Sequence, residues 1–343
     1  MTKKYFMIGL IVLLIISTQI FASAPKMGTS GATELLIPMG ARSVSMAGAN
    51  IAGVKGAEAI YWNPAGLSNV KTGEALFSYM SYFADMKVTY LAAGISAGRL
   101  GVVGLSVQVL DIGDIAVTTW DSPEGTGEII NPNYLTLGLT YSKRFTDRIL
   151  FGTSAKVISE RVGTMNASAM AFDFGLQYVT PFGIGFGVTL KNLGSEVKFD
   201  GTAIEFDSEI PYSGPTATTR KTKLDMAGAE LPTSMNMGLS YKYDLNDMAG
   251  LTLTGAYSNN AFELDHVKLG AEFGLMNLLF VRAGYVSYMY PDDWEWSTDS
   301  QYGLSYGMGL NLNLGGTDFM FDYASRPMEL FDANQYFSVS VGF

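Results

Sequence analysis

The feature that most constrains this chain is a strict two-residue alternation of apolar and polar positions, repeated in segments of about ten residues. In residues 235–243 the odd positions are apolar and the even ones are Asn, Gly, Ser and Lys. Residues 267–275 follow the same pattern, with Lys268 and Glu272 on the polar side, and 302–314 and 337–343 alternate without a break. Successive side chains of a strand point to opposite faces, so each segment has an apolar face and a polar or glycine face. The pattern predicts fourteen strands, near 73–84, 87–97, 100–110, 133–145, 149–161, 167–179, 183–193, 233–244, 250–258, 265–275, 278–288, 302–314, 317–324 and 335–343. The connections alternate between short turns, such as Gly98-Arg99, Asn246-Asp247 and Gly315-Gly316, and long loops at 111–132, 194–232, 289–301 and 325–334. Short and long connections on opposite ends are the signature of a membrane β-barrel. A β-sandwich also alternates, because its polar face meets water. The continuous Gly and Ser face, the leader and the absence of cysteine favour the barrel.

The leader is read from the first residues. Lys3 and Lys4 precede a twelve-residue apolar run, 5–16, and Ala22-Ser23-Ala24 supplies a small-x-small cleavage site. Twelve residues are too few to cross about 30 Å of hydrocarbon, which speaks against a membrane anchor. The absence of cysteine excludes a lipoprotein anchor, a disulfide framework and a thiolate metal site. The chain has 22 basic side chains, two of them in the leader, against 32 acidic ones. That acidic balance argues against nucleic acid as a partner. Only 16% of residues are charged while 48% are hydrophobic, yet no later segment approaches eighteen consecutive apolar residues. An exported apolar chain of this kind crosses a membrane by strands, and outer-membrane lipid is its expected surrounding. The final strand places Phe337, Val339, Val341 and Phe343 on one face, a pattern like the β-signal for barrel insertion.

Residues 25–70 do not alternate. The stretch 39–50 is rich in small residues and suits a short helix. It leads to Tyr61-Trp62-Asn63-Pro64-Ala65-Gly66, where Pro64 restricts Asn63 to extended geometry and Gly66 permits a turn. The sequence GARSVSMAGANIAGVKGAEAIYWNPAGLS at 40–68 resembles the N-terminal signature of the PorV/PorQ group, within the FadL-like (OmpP1/FadL/TodX) superfamily of outer-membrane barrels. KNLG at 191–194 and the segment from Asp322 to Phe343 resemble that group's middle and closing strands. The resemblance implies an all-β fold, a 14-stranded antiparallel transmembrane β-barrel with an N-terminal hatch or plug inside the lumen. It also implies that Asn63, Pro64 and Ala65 pack there. The expected division is 1–24 signal peptide, 25–70 hatch and 71–343 barrel. A fourteen-stranded barrel is too wide for its own side chains to fill, and Tyr61 and Trp62 would supply bulk. A cap outside the barrel is the alternative.

Projecting the alternation inward gives a polar ring of Lys143, Lys156, Asp173, Lys191, Lys242, Lys268, Glu272, Arg282 and Asp322. The ring could bind the hatch or a ligand carboxylate, or form structural ion pairs only. An external loop carries Tyr290, Asp292, Asp293, Trp294 and Trp296, a candidate aromatic and acidic patch. Its carboxylates could hold calcium, but no EF-hand spacing accompanies them. The single histidine, His266, has no flagged nucleophile near it, so the sequence points to no enzyme and to no cofactor or metal. Two functions follow. The first is binding or passive transport of small hydrophobic compounds across the outer membrane. The second, implied by the PorV resemblance, is a non-enzymatic component of type IX secretion that binds secretion-system proteins or exported clients.

Overall fold

The computed structural model describes residues 26–209, 219–289, 303–329 and 331–343, so the expected leader lies outside the described residues. Fourteen antiparallel strands form the wall: β1 Gly73–Ser81, β2 Lys87–Ser96, β3 Val102–Asp111, β4 Asn133–Arg144, β5 Ile149–Val162, β6 Met165–Val179 and β7 Ile184–Gly194. The second half comprises β8 Ser234–Asp244, β9 Ala249–Asn260, β10 His266–Leu275, β11 Leu279–Tyr288, β12 Leu304–Leu314, β13 Thr317–Arg326 and β14 Asn334–Gly342. Each strand pairs with its sequence neighbours, and β14 returns to β1 through Glu74 opposite Gly342, which closes the barrel. Closure leaves no exposed wall edge, the requirement for strands in hydrocarbon.

Register follows the alternation. Outward positions such as Phe77, Leu91, Leu105, Leu139 and Val281 are exposed apolar side chains. Inward positions such as Ser78, Thr140 and Ser154 are buried polar ones. The turn between β12 and β13 has Gly315 and Gly316 at φ 62° and 91°, the left-handed pair a tight hairpin demands. Strand β1 ends three residues before its expected limit, because Ala84 and Asp85 adopt φ 54° and 60° to close the first hairpin. The loops also contain pairings that alternation did not announce: Glu205–Glu209 with Thr219–Lys223, and Ile115–Ala116 with Ile129–Ile130. Among the described residues no helix is long and apolar enough to cross a membrane.

The wall register departs from regularity between β6 and β7. Phe172 faces Leu193 and Phe174 faces Leu190, so Lys191 and Asn192 together oppose Asp173. Asn192 sits at φ 60°, and its N–H donates to Asp173 Oδ1 at 2.8 Å. This β-bulge re-aims the chain at the long-loop end. Lys143 is corrected here: it shares the outward parity of Leu139 and Tyr141, opposite Phe151, while Ser142 and Arg144 face inward. A lysine's long stem near the wall's edge can lie along apolar surface with its charge in water, so outward parity is no bar to the residue.

Candidate functional site

The N-terminal segment packs against the inward face of the wall. It comprises a 3-10 turn Thr33–Leu36, a helix Ala41–Ser45, a helix Ala59–Trp62 and a 3-10 helix Pro64–Asn69. Asn63 separates the last two. Its extended backbone ends one helix, its Oδ1 accepts from Ala65 N–H at 3.2 Å, and Pro64 opens the next. An asparagine cap followed by proline at the first position is a favourable helix start. The same amide donates to Ile51 O at 2.9 Å and to Leu176 O on β6 at 3.2 Å. Gln177 adds donations to Ile51 O and Val54 O at 3.2 and 3.0 Å. The wall accommodates this turn by lacking side chains. A Cβ at Gly152 would lie 2.3 Å from the Pro64 carbonyl carbon, and one at Gly175 would lie 2.2 Å from Asn63 Oδ1.

Tyr61 and Trp62 face the other way, towards the long-loop end. Trp62 Nε1 donates to Met39 O at 2.7 Å and Tyr61 Oη to Leu35 O at 3.2 Å. Their rings meet edge to face at 5.1 Å and 76°. They form the floor of a cavity of about 540 Å3, whose walls include Leu35, Ile51, Leu110, Tyr134, Val286, Tyr288 and Tyr336. Polar groups enter it from Lys191, Asn236, His266, Lys268, Glu263 and Arg326. Apolar and polar groups thus share the lining, and a concave chamber where polar groups converge on apolar walls is a usual form of small-molecule site.

The inward charges separate into three groups. Arg42, from the first helix, grips Glu272 with Nε and Nη2, both at 3.0 Å. Glu272 also accepts from Arg282 Nε at 2.6 Å, and Arg282 Nη1 donates to Asp322 Oδ1 at 2.6 Å. This chain of four fastens the N-terminal segment to β10, β11 and β13. Lys156 pairs with Asp173 at 2.8 Å and also donates to Asn192 Oδ1 at the bulge. Lys191 and Lys268 reach the cavity instead. Lys242 joins none of these: it is exposed and pairs with Asp244 at 3.1 Å.

Two carboxyl groups of the segment were not singled out by alternation. Glu58 accepts from Ser43 N–H at 2.9 Å, and burial pushes its carboxyl up to about 7. Glu34 is pushed up to about 8 by burial and by the neighbouring Glu160. Arg42 and Glu58 had one signal available, as charges within a run of small residues. Phe337, Val339, Val341 and Phe343 lie on the outward face of the closing strand and its end. Tyr290, Asp292, Asp293, Trp294 and Trp296 lie outside the described residues.

A closed antiparallel barrel of fourteen strands is the fold this chain shares with solved FadL-type channels. The P. putida toluene transporter TodX aligns with TM-score 0.56 and 12% identity, over 89% of this chain and 98% of that one. The CymD monoaromatic hydrocarbon channel aligns at 0.55 and 14%, over 90% and 98%. A Pseudomonas aeruginosa FadL homologue aligns at 0.53 and 10%, over 90% and 98%. No family model and no curated protein sequence matches the chain. At these identities the likeness is one of fold.

Proposed function

We propose that this protein is a FadL-like outer-membrane barrel that binds small hydrophobic compounds and passes them passively across the outer membrane, with residues 25–70 as its hatch. The observation that carries the reading is the aromatic cavity above Tyr61 and Trp62 at the long-loop end. Apolar ligands gain about 25 cal/mol for each Å2 removed from water, so an aromatic chamber concentrates them without any energy source. The solved channels of the same fold are named for toluene and monoaromatic hydrocarbons, which supports this class of cargo. The leader at 1–24 and the terminal aromatic strand agree with export and barrel insertion.

The PorV/PorQ assignment within that superfamily rests on residues 40–68, and with it comes a second reading, a type IX secretion component that binds client proteins. The feature favouring it is the wall itself. Among the described residues every neighbouring pair of wall strands is hydrogen-bonded, and the register shift at Asp173 is met by Lys156 and Asn192. A barrel so closed suits a binding surface as well as a conduit. Deletion of the gene, scored for toluene and fatty-acid uptake and for surface display of secreted proteins, separates the two. Loss of uptake alone supports transport. Loss of surface display alone transfers the function to secretion, and loss of neither refutes both.

A further inference from the structure

Lys191 and Lys268 line the cavity, and the wall carboxylates nearest them in register are bound by other groups. Lys191 is 9% exposed, and its ammonium lies 3.9 Å from the Tyr61 ring centroid and 5.9 Å from that of Trp62. The acid nearest in register, Asp173, has its Oδ1 engaged by Lys156 and by the Asn192 N–H. Lys268 lines the same cavity near Trp62. A Cβ on Gly48 would meet Trp62 Cζ3 at 2.6 Å and Lys268 Nζ at 3.7 Å. The carboxylate further along the same strand, Glu272, is held by both Arg42 and Arg282. Among the described residues neither lysine makes an ion pair or donates a hydrogen bond. An ammonium with no ion pair gains a charge-assisted hydrogen bond by meeting a carboxylate, so both lysines favour an anionic ligand.

The remaining charges around the cavity do not cancel them. Glu34 is pushed up to about 8 and so retains its proton near neutral pH. Glu263, raised by burial, faces Lys268 and Arg326. Among the cavity's lining residues Lys191, Lys268 and Arg326 outnumber the carboxyl groups of Glu34 and Glu263. Its walls select the rest of the ligand. Tyr61, Trp62, Tyr134 and Tyr288 line the cavity, aromatic surface of the kind a ligand ring packs against edge to face. Two separate ammonium groups suit a singly charged carboxylate better than a phosphate, which favours the fork of arginine.

We propose that Lys191 and Lys268, together with Tyr61 and Trp62, form a binding site for a small aromatic carboxylate. The inference rests on the reading of the cavity as the ligand chamber, and adds that its preferred occupant is an anion rather than a neutral hydrocarbon. Both lysines lie on wall strands and border the cavity beside Tyr61 and Trp62, so a carboxylate taken by their ammonium groups would lay its ring against that aromatic floor.

The test is calorimetry on the full-length protein, folded in neutral detergent at pH 7, with three probes. These are benzoate, its planar neutral isostere nitrobenzene, and cyclohexanecarboxylate, which keeps the charge without the ring. Benzoate is expected to bind about tenfold more tightly than either of the others, the size of one charge-assisted hydrogen bond. In Lys191→Met/Lys268→Met benzoate should lose about that factor while nitrobenzene is unchanged. Equal binding of benzoate and nitrobenzene by the native protein overturns the inference without any variant, as does an unchanged benzoate affinity in a folded variant. Equal binding of cyclohexanecarboxylate overturns its aromatic half. Toluene uptake into cells, with no preference for benzoate, would leave the hydrocarbon channel standing and remove this site. Preferential benzoate binding without uptake of any probe would keep the site and remove the channel.

Discussion

Asn63 makes one amide serve three purposes: it caps a helix, joins two parts of the N-terminal segment and ties them to β6. Asn63→Ala removes the cap and both donations, and should destabilise the segment by about 1–3 kcal/mol. Hydrogen exchange of amides at 50–66 should rise while strand amides stay protected; unchanged exchange would show that the amide is dispensable. Gly175→Ala should act on the same contact from the wall side, since its Cβ would meet Asn63 Oδ1 at 2.2 Å and either the turn or the strand must move. Glu58 gives a pH dependence. Its carboxyl is raised from 4.5 to about 7, so the folded form holds the proton more tightly than the unfolded chain does. The stability it contributes is therefore full below about 4.5, declines as pH rises through about 7, and is flat above. Glu34, raised to about 8, extends the same decline upward. The temperature at which the folded band is lost on electrophoresis should fall with pH across that range. Glu58→Gln should flatten the lower part, and Glu34→Gln/Glu58→Gln most of it. Asn63 and Pro64 stood out in sequence as a turn, but nothing local to them could name Leu176 or Gly175 as partners.

At the scale of elements, the helix Ala41–Ser45 is too short to be stable alone and is held by what its Arg42 reaches. The chain Arg42–Glu272–Arg282–Asp322 joins that helix to three strands, and its members are unequal. Arg282 has a side-chain exposure of 0% and Glu272 of 7%, while Arg42 keeps 32%. Glu272→Gln leaves a fully buried guanidinium with Asp322 as its remaining anion, and should cost about 3–5 kcal/mol. Arg42→Gln should cost less, because its charge is partly solvated and Glu272 retains Arg282. Thermal loss of the folded barrel measures both, and a larger effect from Arg42→Gln would reverse this order of importance. Strand identity and inward parity were legible for Lys156, Asp173, Lys268, Glu272, Arg282 and Asp322 because period two is a local property. Lys191 also points inward, but its neighbour Asn192 forms a bulge that a strict period does not contain. Lys143 lies on the outward parity of Leu139 and Tyr141, so its inward projection fails.

For the whole molecule, the wall and its contents answer to different rules. The fourteen strands, their order and their connections follow from alternation and loop length, since adjacent antiparallel strands joined by short and long connections have few ways to close. An overall prediction belongs here. If the wall is continuous, disulfide cross-linking of β6 to β7 through Phe172→Cys and Leu193→Cys, directly opposed in register, should form readily and leave ligand uptake unchanged. Loss of uptake would show that this seam must part. What the sequence by itself determined is the class of fold, the strand positions and the segment that is not strand. Each is carried by residues within about ten positions of one another. Only the tertiary structure decided which wall glycines receive Pro64 and Asn63, that Arg42 completes the buried charge chain, and that Lys191 and Lys268 meet at one cavity beside Tyr61 and Trp62. Those partners lie far apart in sequence, and they come together only because closing the barrel brings its inward faces around a single interior.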